Sequence, residues 1–130
     1  MVHNIAELLG FLGLPRVAAI TLAVLLSEHT GLTLSELSQK TGYAKSHLST
    51  YLKTLVANGL VEYMYSGKRI LYRAKKQGII ELLKNHLKTL KSMLDIASNT
   101  LHDQELHSYL RRLSNRISQV VKELEGEYSG

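Results

Sequence analysis

Apolar residues recur at Ile5, Leu8, Leu9 and Leu12, three or four apart. This predicts a helix over Asn4–Leu12 that Gly13 ends. A second helix runs from Pro15 to about His29. Val17, Ala18, Ile20, Ala23, Val24, Leu25 and Leu26 make it apolar almost all round, so it belongs in the core. Pro15 suits the first helical position, where an amide hydrogen is not needed. Thr33-Leu-Ser-Glu36 has capping-box spacing and opens a short helix, Leu34–Thr41, with Leu34, Leu37 and the small Ser38 facing inward. Gly42 is placed for a left-handed helix end. The next helix, from about Lys45 to Asn58, carries Leu48, Leu52 and Leu55 on one side. Alternating residues then flank Ser66-Gly67-Lys68: Val61, Tyr63 and Tyr65 before it, Ile70, Tyr72 and Ala74 after it. That is a β-hairpin.

From Gln77 the period turns helical again. Ile80, Leu83, Leu87, Leu90, Leu94, Ala97 and Leu101 form a seam alternating three and four residues apart. The same register continued would meet Gln104, Ser108, Arg111 and Asn115. A new seam starts instead at Leu106 and runs through Leu110, Leu113, Ile117, Val120 and Leu124. The break falls at Ser98–Asp103, where turn-forming residues cluster, so two long helices joined by a short turn are expected. The predicted organisation is an N-terminal helix (1–13), a helix-turn-helix with a hairpin (14–75) and a helical hairpin (76–130).

Composition narrows the class. The 130 residues are 45% hydrophobic and 21% charged, which suits one folded domain. The chain has no cysteine, so disulfides and thiolate metal sites are excluded. Its longest apolar stretch, Val17–Leu26, is about half of the ~20 residues a membrane span needs. It lies well inside the chain, unlike a signal peptide. A cytoplasmic location with no membrane partner is the expectation. Net charge is +5 and uneven: residues 1–75 hold eight Lys/Arg against four acids, residues 76–130 eight against seven. The excess in the first part favours a polyanionic partner.

The fourth helix makes that partner specific. No acid occurs from Tyr43 to Val61, and its polar side carries Lys45, Ser46, Ser49, Thr50 and Lys53. Helix, glycine turn, helix and hairpin describe a helix-turn-helix with a wing, whose second helix enters the major groove of duplex DNA. Acids there would repel phosphates. Short hydroxyls permit close approach and bond to bases or phosphates.

The segments GLPRVAAITLAVLL and LTLSELSQKTGYAKSHLSTYLKTLVANGLVEY, with the SGKR hairpin, resemble the MarR-type winged-helix transcription regulators. Leu14-Pro15-Arg16 is most similar to the GbsR-like branch. The resemblance covers residues 14–75. It implies a mainly α winged helix-turn-helix fold with a small β-hairpin wing and two long C-terminal dimerisation helices. The function implied is a double-stranded DNA-binding transcriptional regulator, a repressor acting as a homodimer. The DNA contacts implied are Lys45, Ser46, His47, Ser49, Thr50 and Lys53 on the recognition helix and Lys68 and Arg69 on the wing. The seams, joined by Ile5, Leu8 and Leu12, would form the dimer interface: Leu83, Leu87, Leu90, Leu94, Leu106, Leu110, Leu113, Ile117, Val120 and Leu124. The resemblance also allows a small-molecule effector pocket between the DNA-binding part and the dimer helices, though no residue names a ligand.

The chain departs from that pattern in three ways. Ala44 stands where a Ser or Thr would cap the recognition helix, a loss of about 1 kcal/mol. The wing is short. No arginine lies on the recognition helix, so bidentate guanine reading by arginine is missing there and preference rests on other contacts or DNA shape. Other readings have less support. A winged-helix protein-interaction module of the transcription machinery, or a low-specificity chromatin-like DNA binder, would keep the fold and change the partner. Tyr43, Tyr51, Tyr63, Tyr65 and Tyr72 are expected in the core or packed on the hairpin rather than as a single-strand stacking platform. His86, His102, Asp103 and His107 lack the paired acid and His pattern of the ArsR-type metal sensors, so no metal or other cofactor is expected. No phosphate loop, nucleophile elbow or metalloprotease motif occurs, so no enzyme is expected.

Overall fold

A computed structural model describes residues 2–128, and the side chains of 2–126. The chain forms two units, Met1–Ile79 and Ile80–Gly130. Its elements are α1 (Val2–Phe11), α2 (Arg16–Ser27), α3 (Leu34–Thr41), α4 (Lys45–Ala57), β1 (Val61–Ser66), β2 (Arg69–Ala74), α5 (Lys76–Thr100) and α6 (Gln104–Tyr128).

The first unit is built around α2. Ala18, Ala19, Leu22, Ala23, Val24 and Leu25 are buried. Thr21 is fully buried among them because its hydroxyl donates to the Val17 carbonyl at 2.7 Å, which satisfies it within the helix. Pro15 precedes the helix rather than opening it. Its ψ of 153° is extended, and its carbonyl accepts the first helical bond from Ala19. α1 packs on α2 through Leu9 and Leu12, which lie three residues apart on one side. Leu12 was expected at a partner interface, but this packing already buries it within the chain. Leu8 is half exposed and Ile5 partly so.

The helix-turn-helix follows its sequence cues. The Thr33 hydroxyl accepts from the Glu36 backbone N–H, and the Thr33 backbone N–H donates to the Glu36 carboxylate, completing the capping box. Gly42 ends α3 at φ 82°, a left-handed value that favours glycine. The Ser38 hydroxyl donates to the Tyr43 carbonyl across the turn. Ala44 stands at the N-cap of α4 without a side-chain bond. Leu37, Leu48, Leu52 and Leu55 are buried, so both helices anchor in the same apolar core as α2.

β1 and β2 pair antiparallel from Val61↔Ala74 to Ser66↔Arg69. The loop is therefore Gly67-Lys68, with Gly67 at φ 64°, a placement a type II′ turn favours. Arg69 is the first residue of β2 rather than part of the tip. An isolated bridge between Leu32 and Tyr72 adds a third short stretch of pairing. Tyr63 and Tyr65 pack on the hairpin rather than in the core: the Tyr63 ring lies 6.0 Å from that of Tyr65 and 6.5 Å from that of Tyr72, while the two remain 51% and 71% exposed. Gly78, in the first turn of α5, sits against the Gly59 carbonyl so closely that an added Cβ would lie 1.9 Å from that oxygen.

In the second unit α5 and α6 form an antiparallel hairpin. α5 extends through Ser98, Asn99 and Thr100, so only residues 101–103 make the turn. The Asp103 carboxylate then accepts from the Leu106 backbone N–H and caps α6. The contact line between the helices is polar. Ser114 donates its hydroxyl to Asp95, Lys91 bonds to the same carboxylate at 2.8 Å, and the His107 Nδ1 meets the Ser98 carbonyl. Lys88 pairs with Glu125 further along. Ser98 and Ser114 are buried, as are Ile117 and Val121, one and two turns on from Ser114. Ile117 was expected at a partner interface, but its place on this inner line buries it within the chain.

Both leucine seams lie off that line. At about 100° per residue, the seam of α5 is rotated roughly a quarter-turn from Lys91 and Asp95, and that of α6 roughly a quarter-turn from Ser114 and Val121. The helices are antiparallel and the rotations have the same sense, so both seams reach one side of the hairpin. There Leu90, Leu101, Leu106, Leu113 and Val120 are 37–44% exposed. Leu83, Leu87, Leu94, Leu110 and Leu124 are partly exposed.

Candidate nucleic-acid interface

The buried leucines of α4 fix which residues face outward. With Leu48, Leu52 and Leu55 in the core, Ser46, His47, Thr50 and Lys53 lie on the opposite face and are exposed. Lys45 is exposed and Ser49 only partly so. Both sit at the margin of that face, next to the Leu52 side. The face extends one turn beyond the residues expected from sequence. Thr54, four residues after Thr50, is exposed on the same side. The signal for it was present in the i, i+4 spacing, but Thr54 lies beyond the N-terminal half of the helix usually assigned to base contacts.

Two details define the chemistry of this face. The Thr50 hydroxyl donates to the Ser46 carbonyl and the Thr54 hydroxyl to the Thr50 carbonyl, at 3.3 and 3.4 Å. His47 lies between two tyrosines one turn away on either side, with ring centroids 5.9 Å from Tyr43 and 5.4 Å from Tyr51 in edge-to-face arrangements.

Lys68 and Arg69 are exposed at the end of the hairpin. They border a groove of about 550 Å³ whose other wall is the start of α3, Thr33–Glu36. The Glu36 carboxyl is held below the usual carboxylate range. Its bonds with Thr33 are the main cause, and the charges of Arg69 and Lys40 add to it. Among the described residues, the ion pairs engage Lys40, Arg73, Lys84, Lys88 and Lys91, and leave Lys45, Lys53, Lys68 and Arg69 unpaired. Arg73 is close in sequence to the wing cations but is tied to Glu62 at 3.2 Å, which takes it out of the basic set.

The histidines considered for metal binding are not brought together. Asp103 caps α6 and His107 faces Ser98. Among the described residues, no group of three or more His, Cys, Asp or Glu side chains is placed to hold a metal ion. No described helix is long and apolar enough to cross a membrane.

This is a winged helix-turn-helix: a short helix, a glycine turn, a second helix with an acid-free outer face, and a hairpin with two unpaired cations at its end. Residues 16–64 match the family profile of the IclR helix-turn-helix domain. No curated protein matches the chain by sequence. Solved structures match it along nearly its whole length. One, described as a transcriptional regulator, is 18% identical with a TM-score of 0.57, covering 98% of this chain and 95% of its own. MepR, a transcription regulator of a multidrug efflux pump in Staphylococcus aureus, is 16% identical with a TM-score of 0.52, covering 92% and 89%. A mutant of MepR has been solved bound to an oligodeoxyribonucleotide. MarR from E. coli, in its apo form, is 18% identical with a TM-score of 0.51, covering 94% and 84%. The chain therefore has the winged-helix fold of the MarR-type regulators, including their long C-terminal helices. The narrower likeness to the GbsR-like branch rests on Leu14-Pro15-Arg16 alone.

Proposed function

We propose that this protein is a double-stranded DNA-binding transcriptional regulator that acts as a homodimer, and that it represses by occupying a promoter. The acid-free outer face of α4 carries the reading. An exposed helix with Ser46, His47, Thr50 and Lys53 outward, together with unpaired Lys68 and Arg69 at the end of the hairpin, suits a polyanion that admits a helix into a groove. The one-sided apolar seams of α5 and α6 support the dimer: a second copy would cover them and place two recognition helices on half-sites about one DNA turn apart.

Fluorescence anisotropy of the full chain against a mixed duplex pool, over a salt series, tests the DNA assignment. Affinity should fall steeply with salt. Lys53→Ala and Arg69→Ala should each weaken binding across all sequences and lower the slope by about one counterion. Weak, salt-insensitive binding, or two variants indistinguishable from the parent, would refute it and favour a protein-contact role for the wing.

A further inference from the structure

From Tyr43 to Ala57 the chain has no arginine, asparagine or glutamine, so guanine reading by arginine and adenine reading by an amide are missing, and Lys45 and Lys53 are left as the cations that can reach a guanine edge. Two exposed threonines stand in the middle of the face. Each has its hydroxyl hydrogen turned back onto a carbonyl of the preceding turn. A threonine bonded in this way has only acceptor lone pairs left on its oxygen, and its Cγ2 methyl takes one of the other positions on Cβ. Both residues are exposed, so with the hydroxyl turned onto the backbone the methyl is the other group each side chain offers on this face. They lie one helical turn apart, about 5.4 Å, between one and two base steps of about 3.4 Å. His47 falls within roughly 60° of both around the helix axis. Its ring is held between those of Tyr43 and Tyr51, making a fixed wall beside the methyls. In the major groove the group that matches such a surface is the C5-methyl of thymine, the one apolar feature on a base edge there.

We propose that α4 recognises thymine by its methyl group, with Thr50 and Thr54 as the specificity-determining residues and His47 as the wall of the methyl site. This rests on the DNA-binding reading above and adds the class of base pair that is read. The half-site under α4 is A·T-rich, with thymines one or two steps apart, and it is selected by apolar contact.

The test begins by selecting duplexes from a random pool with the full-length protein. The best duplex is then remade with deoxyuridine for each thymidine in turn, which removes only the methyl. At the positions under α4 each replacement should weaken binding about fourfold, the effect of one buried methyl group. Thr50→Val and Thr54→Val keep the methyl and should retain affinity. Thr50→Ser and Thr54→Ser keep the hydroxyl, and should lose about as much as deoxyuridine does and become insensitive to it. Salt-dependent duplex binding with no thymine enrichment, or with deoxyuridine neutral at every position, would overturn this inference while leaving DNA binding intact. So would Ser variants that bind normally beside Val variants that do not. Failure to bind the pool at all would overturn both.

Discussion

The two units bury different mixtures of residue. In the first, the inner faces of α2, α3 and α4 are leucine and alanine, while the outer face of α4 is hydroxyl and lysine. In the second, the line between α5 and α6 joins Asp95, Ser98, His107 and Ser114 by polar bonds, with Ile117 and Val121 buried beside them, and the leucines stand to one side. Burial of apolar area is the main favourable term in folding, at about 25 cal/mol per Å². The first unit gains it within one chain. The second leaves much of its apolar surface in water, more than scattered exposed leucines would explain. A helical hairpin with a polar line inside and an apolar flank suits a second copy, and this is why the proposed dimer belongs with the proposed DNA reading.

The strongest way to break that contrast is to put the same charge into both units. Leu52→Glu buries a carboxylate in a site that is 1% exposed and should leave the first unit unfolded. Leu90→Glu with Leu113→Glu changes two residues that are 43% and 39% exposed, so the chain should stay folded but sediment as a monomer. Binding to a two-half-site duplex should fall by orders of magnitude, because each half-site is then bound without the other. An intact dimer at micromolar concentration, with helical content unchanged, would show that the seams are not the interface.

A smaller effect is expected at Gly78. Its backbone sits against the Gly59 carbonyl at the end of the turn that follows α4, and a Cβ there would fall 1.9 Å from the oxygen. Gly78→Ala must push α5's first turn away from Gly59, at a cost of about 1–3 kcal/mol. Urea unfolding measures it directly. A variant as stable as the parent would mean that the contact relaxes at no cost.

These cases show what the sequence conveyed. Every element of the fold was legible, because each has a local cause: the Thr33–Glu36 box, Gly42, the alternation around Gly67, and the change of register after Leu101. The outward side of α4 was legible for the same reason, since leucines at Leu48, Leu52 and Leu55 leave only one direction for Ser46, Thr50 and Lys53. Positions that depend on tertiary partners were not. Ser98 reads as a turn residue, yet it is a buried residue inside α5, because a small side chain lets α6 approach closely. Tyr63 and Tyr65 read as core or hairpin-packing residues, and periodicity alone does not say which: they pack on the hairpin and stay exposed. Leu12 and Ile117 read as interface residues, but burial within the chain takes them first. Thr54 was passed over although it shares the face of Thr50.

The polar line inside the hairpin gives the smallest and sharpest prediction. Lys91's hydrogen bond is the main reason the Asp95 carboxyl is held below its ordinary value, and the Ser114 hydroxyl adds to it. A carboxylate whose folded pKa is depressed contributes stability above its unfolded value of about 3.9, and loses it as pH falls through the folded value. The parent should therefore lose more melting temperature below about pH 4 than Asp95→Ala, which keeps the Glu36 contribution to that fall. At pH 7, Ser114→Ala should cost about 1 kcal/mol, because one buried hydrogen bond is lost and no hydroxyl is left unsatisfied. If Asp95→Ala followed the parent's acid profile throughout, the carboxylate would be a bystander. The hairpin would then depend on its apolar flank alone, and the contrast between the two units would reduce to where their leucines point.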